Sequence, residues 1–156
     1  MPGVDRRSLL LKMELPSNPD TLCVVRNALG PLAQALGFSD AECRAVVLAV
    51  DEALTNIIRH AYQGKADEPI EISFRRIHSP QDGAGRTALE IVFEDHGAKV
   101  DAKKLCSRDL EDVRPGGLGL HFIKESMDAV EFRRHWGRNQ LRLVKFLHSS
   151  EPSKGQ

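Results

Sequence analysis

The sequence predicts a single α+β domain of two layers, with a mixed, mostly antiparallel sheet and helices on one of its faces. Three observations carry this expectation. The elements read in the order strand, helices, hairpin, loop, helix, hairpin, with period-2 runs in the hairpins and a helical period between them. The chain has 156 residues, 41% of them hydrophobic, which is enough for one core. No repeat and no linker divides it, so one domain is expected over 8–148 and a polar tail over 149–156.

"SLLLKMEL" (8–15) is short and apolar and reads as a first strand, punctuated by "PSNP". Residues 20–36 place Leu22, Val25, Ala28, Leu29, Leu32 and Leu36 at helical spacing. Gly30-Pro31 lies inside that run and is expected to kink or split the helix, and Gly37 to end it. Ser39 followed by Glu42 forms a capping box, so a second helix is expected from there to about Tyr62. "PIEISFRRI" (69–77) alternates, with Ile70, Ile72, Phe74 and Arg76 on one face, and "TALEIVFED" (87–95) is its returning strand. The charged stretch from His96 to Pro115 lacks a steady period, though "AKKLCSRDLEDV" allows one short helix. "GGLGLHFIKESMDAV" starts a third helix directly after glycines. "VEFRRHW" and "QLRLVKFLH", joined by a turn at Gly137-Arg138-Asn139, make the closing hairpin.

Composition excludes several classes. Lys and Arg number 22 and so do Asp and Glu, which argues against a nucleic-acid binder held by a broad positive field. Cys23, Cys43 and Cys106 are odd in number and lack metal-ligand spacing; they suit a reducing compartment rather than a disulfide scaffold. His121, His135 and His148 have no companion at ligand spacing, so no zinc site is expected. No apolar run approaches the roughly 18 residues needed to span a bilayer. The opening "MPGVDRRSLLLKMEL" has only "LLL" as an apolar core and no small-residue cleavage site. A cytoplasmic location without membrane contact is expected.

Three polar clusters point to chemistry. In "DEALTNIIRHAY" (51–62), Glu52, Asn56 and His60 recur at i, i+4 spacing beside Ala45, Leu48, Ala49 and Ala53, while Asp51, Thr55 and Arg44 fall on the opposite, solvated side. Asn is a mediocre helix former, and a half-buried amide or carboxylate is costly unless satisfied. Two readings stand: a polar pair satisfied by a neighbouring element, or an Asn oxygen on a divalent cation with Glu52 handling a proton. The second cluster, "VFEDHGAKVD", ends an apolar strand on Asp95 with Gly97 two residues on. It is either a turn carboxylate or an acceptor for a ligand amine with close backbone approach at Gly97. The third, "RPGGLGLHFIKE", puts Gly116, Gly117 and Gly119 at a helix start, where free backbone N–H groups can hold an anion. Neither the dinucleotide fingerprint nor a Walker A box is present. Together the clusters supply a metal-facing helix, an amine acceptor and a phosphate cradle, the parts a nucleoside triphosphate requires.

In that order the motifs resemble the GHKL ATPase superfamily with its Bergerat ATP-binding fold, and within it the small bacterial anti-sigma factor serine-protein kinases. "DEALTNIIRHAY" is similar to the family's N box, "EDHGAKVD" to its first glycine box, "GGLGLHFIKESMDAVEFRR" to its second, and "LRLVKFL" to its last strand. The resemblance covers about residues 10 to 148. It implies that Asn56 coordinates the magnesium ion bridging the ATP phosphates and that Glu52 is the general base toward a substrate hydroxyl. It implies that Asp95 binds the adenine amine, that Gly97 makes room beside the ring, and that Gly117 and Gly119 contact the phosphates. The stretch 99–114 would be an ATP lid, and His60 would have a packing role rather than a chemical one. Two departures are visible: "AKV" stands before Asp101 where the family has proline or glycine and an aromatic, and the lid is poor in glycine until Gly116.

The implied activity is ATP- and Mg-dependent phosphorylation of a small anti-sigma-factor antagonist protein, with a sigma factor sequestered by the same domain. A homodimer through the first strand and first helix is implied as well. The alternative is a catalytically weak or inactive module that keeps the fold and its partner surfaces, or a domain of this fold serving another partner. The presence of Glu52 favours the active kinase.

Overall fold

The computed structural model of the chain describes residues 8–79, 86–99 and 119–148. Strand β1 (Leu9–Pro16) leads through a short 3-10 turn into helix α1 (Leu22–Leu36) and then helix α2 (Asp40–Asn56), which continues as one π-helical turn over Ile57–Ala61. Strands β2 (Pro69–Ser79) and β3 (Arg86–Asp95), helix α3 (Gly119–Ser126), and strands β4 (Ala129–His135) and β5 (Arg138–Phe146) follow. The sheet order is β1-β2-β3-β5-β4. All four pairings are antiparallel, so the parallel component allowed for in a mixed sheet is absent among the described residues.

Alternation builds the core as rows across the sheet. Met13, Ile72, Phe93, Leu141 and Phe132 are successive cross-strand partners, and so are Leu11, Phe74, Ile91, Leu143 and Val130. Against these rows lie Val46, Ala49, Val50, Ala53 and Leu54 of α2, Val25, Leu29 and Ala33 of α1, and Ile123 of α3, all in one apolar cluster. The opposite face carries Lys12–Glu71, Arg142–Glu90 and Arg138–Glu94 ion pairs. Such exposed pairs add little stability, but they keep that face wet. Arg76, in phase with Phe74, is exposed instead of facing the core, because a guanidinium without a buried partner stays at solvent.

Two local expectations are corrected. Helix α1 is unbroken with Pro31 inside it. Proline deletes only one donor, and Leu29 and Ala33 on either side of it are fully buried, holding both halves on the core. Gly37 closes the helix in the left-handed conformation, φ 102°, with its N–H on the Ala33 and Gln34 carbonyls. The last hairpin turns at Trp136 and Gly137, both left-handed (φ 51° and 72°), as a two-residue turn requires. Arg138 and Asn139 therefore belong to β5 rather than to the turn. The helix suggested within 101–113 and the tail over 149–156 lie outside the described residues.

Candidate functional site

The capping box starts α2 as the sequence predicts: Ser39 accepts from the Glu42 N–H, and the Glu42 carboxylate accepts from the Ser39 N–H. From that start the helix turns Val46, Ala49, Val50, Ala53 and Leu54 inward. Its polar residues fall on two flanks. Toward α1, Asp51 takes a 2.7 Å hydrogen bond from Arg26 Nε, and the Thr55 hydroxyl donates to the Asp51 carbonyl at 2.8 Å. Asp51 is thus half-buried and paired rather than simply solvated. Glu52 and Asn56 are half-buried as well, yet neither side chain has a hydrogen-bond partner among the described residues. Leu48, expected on the apolar side, is 52% exposed one turn before Glu52. It shares their flank and leaves that stretch open rather than covered.

The helix then changes pitch. Directly after Asn56, the Tyr62 N–H bonds the Ile57 carbonyl at 3.0 Å, the i→i+5 pattern of a π turn. Such turns rotate the residues that follow relative to an α-helix. His60 emerges exposed. Ala61 and Tyr62 are buried and meet the end of β3. The Ala61 carbonyl accepts from the Ala98 N–H at 2.7 Å. The Tyr62 hydroxyl donates to the Pro69 carbonyl and accepts from the His96 N–H at 2.9 Å. Burial pushes the Tyr62 phenol above its ordinary pKa. Gly97 faces this turn so closely that a Cβ would lie 2.6 Å from the Ala61 carbonyl carbon and 2.8 Å from its Cβ. Glycine is required there by the protein's own backbone, whatever a ligand adds. These contacts clamp the segment that carries Asn56 to the one that carries Asp95.

Asp95 is 4% exposed. Its Oδ1 accepts from the Gly97 N–H at 2.9 Å and from Asn139 Nδ2 at 2.8 Å. No described residue donates to Oδ2. Asn139 also donates to the Ala98 carbonyl at 3.0 Å, and its Oδ1 accepts from Arg134 Nη1 at 2.7 Å. Arg134 reaches the Gly97 carbonyl at 3.1 Å too. Helix α3 begins at Gly119 and packs against α2. Gly117 and the lid expected over 99–114, from residue 100 on, lie outside the described residues.

The structure thus joins Asp95 and Gly97 directly, ties them to the turn after Asn56, and brings the helix that opens at Gly119 onto α2. Sequence reasoning missed Asn139, Arg134 and Tyr62. Asn139 was legible in principle: it is in phase with Leu141 and Leu143, the inward residues of β5, and only its assignment to the turn hid it. Tyr62 carried no such signal, since its partners at Pro69 and His96 are distant in the chain.

In this sheet-and-helix site the turn after a polar helix flank is joined to the end of the strand that carries a buried carboxylate, and a glycine-started helix packs on the same α2. The chain belongs to the histidine kinase-like ATPase domain family, which matches residues 15–145. Its relatives include serine-protein kinase RsbW of Bacillus pumilus, 29% identical over 147 residues (89% of this chain, 86% of that protein). RsbW of Oceanobacillus iheyensis is 30% identical over 135 residues, 81% of this chain and 80% of that protein. The GHKL resemblance is borne out, and with it the placement among protein serine/threonine kinases. Two solved structures share the fold. The SiaB–SiaC complex from Pseudomonas aeruginosa matches with TM-score 0.56 and 20% identity over 91% of this chain and 92% of that one. The RsbU and RsbW domains of Rv1364c from Mycobacterium tuberculosis match with TM-score 0.54 and 13% identity over 88% of this chain and 33% of that one.

Proposed function

We propose that the chain is an ATP- and Mg²⁺-dependent serine/threonine kinase of a partner-switching pathway, formed by one ATP-binding domain over 8–148. Its substrate would be a small anti-sigma-factor antagonist protein, and the same domain would sequester a sigma factor in the cytoplasm, with no role for nucleic acid or membrane. The observation that carries this reading is a set of polar groups without a hydrogen-bond partner among the described residues: the half-buried Glu52 carboxylate and Asn56 amide, and Oδ2 of the buried Asp95. Half-buried polar groups are usually paired, so unspent ones on the α2 flank and at the end of β3, two segments tied together through Ala61 and Tyr62, suit a ligand. A nucleoside triphosphate with a divalent cation fits that donor and acceptor set. The cation, when bound, offsets charge on the phosphates. Asn56 would offer it a neutral oxygen, Asp95 would accept from the adenine amine, and Gly117 and Gly119 would contact the phosphates. Glu52, one turn from Asn56, takes the proton from the substrate hydroxyl. Among the described residues no helix is long and apolar enough to cross a membrane.

Strand β1 is an edge of the sheet, and α1 leaves Val24 49% exposed, so a homodimer through these two elements is part of the proposal. Calorimetry with and without Mg²⁺ tests the site. Wild type is expected to bind ATP in a Mg²⁺-dependent way, and Asn56→Ala to lose that dependence. Glu52→Ala is expected to bind ATP normally while phosphotransfer falls by about 10²–10⁴-fold. Failure of wild type to bind at millimolar ATP would leave a protein-binding module without kinase activity.

A further inference from the structure

We infer that Asn139 and Arg134 are positioning residues that make the nucleotide site selective for a 6-amino purine, by holding the Asp95 carboxylate as an acceptor with Oδ2 left for the base. The inference rests on the proposed role of Asp95. It starts from register: Ile70, Asp95, Asn139 and Arg134 are successive cross-strand partners on β2, β3, β5 and β4. The next row inward is Ile72, Phe93, Leu141 and Phe132, entirely apolar. The last row of the core face therefore changes from apolar to polar across three strands at once.

The polarity of the chain of bonds runs one way. Arg134 can only donate, so the amide atom of Asn139 that it meets at 2.7 Å must be the oxygen. That orientation sends Nδ2 to Asp95 Oδ1 and to the Ala98 carbonyl. Asn139 is 1% exposed and has spent both amide hydrogens and its oxygen, so it has no alternative arrangement inside the fold. With Oδ1 of Asp95 taken by Asn139 and the Gly97 N–H, the remaining oxygen is an acceptor. An acceptor suits an exocyclic amine and opposes a 6-oxo group, which would set two lone-pair atoms against each other. Without Arg134 the Asn139 oxygen loses its partner, and the amide is held less firmly against the carboxylate, by its two Nδ2 bonds alone.

The test compares ATP with ITP, which keeps the ribose and triphosphate and replaces the amine by an oxo group. Binding of both, with Mg²⁺, is measured by calorimetry on wild type, Arg134→Met and Asn139→Leu. Arg134 is exposed, so its replacement keeps the fold available if Asn139→Leu does not fold, and thermal melts report which variants are native. Wild type is expected to prefer ATP at least about tenfold, the worth of one hydrogen bond to a charged group. In the variants ATP affinity is expected to fall by about tenfold with ITP affinity held within about twofold, so the preference collapses. A parallel loss of both nucleotides would mark the network as structural and overturn the inference, as would an unchanged ratio in Arg134→Met. Either of those results leaves the ATP site standing. Wild type that binds neither nucleotide would overturn the kinase reading and this inference together.

Discussion

Tyr62 shows how single residues hold the site together. Its hydroxyl joins Pro69 at the start of β2 to His96 at the end of β3, so one phenol fixes the distance between two strand ends and the helix. Burial raises its pKa in the folded state. The fold therefore holds the protonated phenol, and this stabilisation is complete below the unfolded-state pKa, about 10, and lost as pH rises through the folded value. Tyr62→Phe is expected to lower stability at neutral pH by about 1–3 kcal/mol through the unsatisfied His96 N–H and Pro69 carbonyl. It should also flatten the alkaline fall in stability, and denaturant melts at neutral pH and above 10 check both. Gly97→Ala must push the Ala61 backbone away and is expected to cost about 1–3 kcal/mol, as overpacking does. A melt without nucleotide separates this from a role beside the base, because the clash exists in the free protein.

At the scale of elements, local signals were the reliable ones. The capping box at Ser39 and Glu42 starts α2 where the sequence placed it, because both partners lie within four residues. Ser39→Ala is expected to cost about 1 kcal/mol, read from a shift in denaturation midpoint. Helix α1 was expected to kink or split at Gly30-Pro31 and is not split, since burial on both sides outweighs a lost donor. Apart from its chain neighbours, a Cβ at Gly30 would meet nothing within 4 Å, but the ring of Pro31 opposes a helical residue with a Cβ before it, so Gly30→Ala is expected to fall short of the gain of about 1 kcal/mol usual for this change in a helix. The π turn at Ile57–Ala61 had no sequence signal. Its register follows from tertiary bonds to Ala98 and His96, which a helical period does not report.

For the whole molecule, a ligand that binds only the native state adds to its stability by mass action. Mg²⁺-ATP at about 100 times its dissociation constant is expected to add about 2.7 kcal/mol to unfolding. Asn56→Ala is expected to lose that gain while keeping the ligand-free melting temperature, and thermal melts with and without Mg²⁺-ATP measure it. The two-layer class, the order of elements, the start of α2, and the grouping of Glu52, Asn56, Asp95 and the glycines into nucleotide-like motifs are legible in the residues alone. These are properties of period, caps and turn chemistry, all read within a few residues. That α1 stays whole, that α2 ends in a π turn, that Gly97 answers to the Ala61 backbone, and that Arg134 and Asn139 line up with Asp95 came from the folded arrangement. Each of those depends on which strand lies beside which and in what register. Register is set by packing across the whole sheet, so residues 40 apart in the chain become neighbours through it.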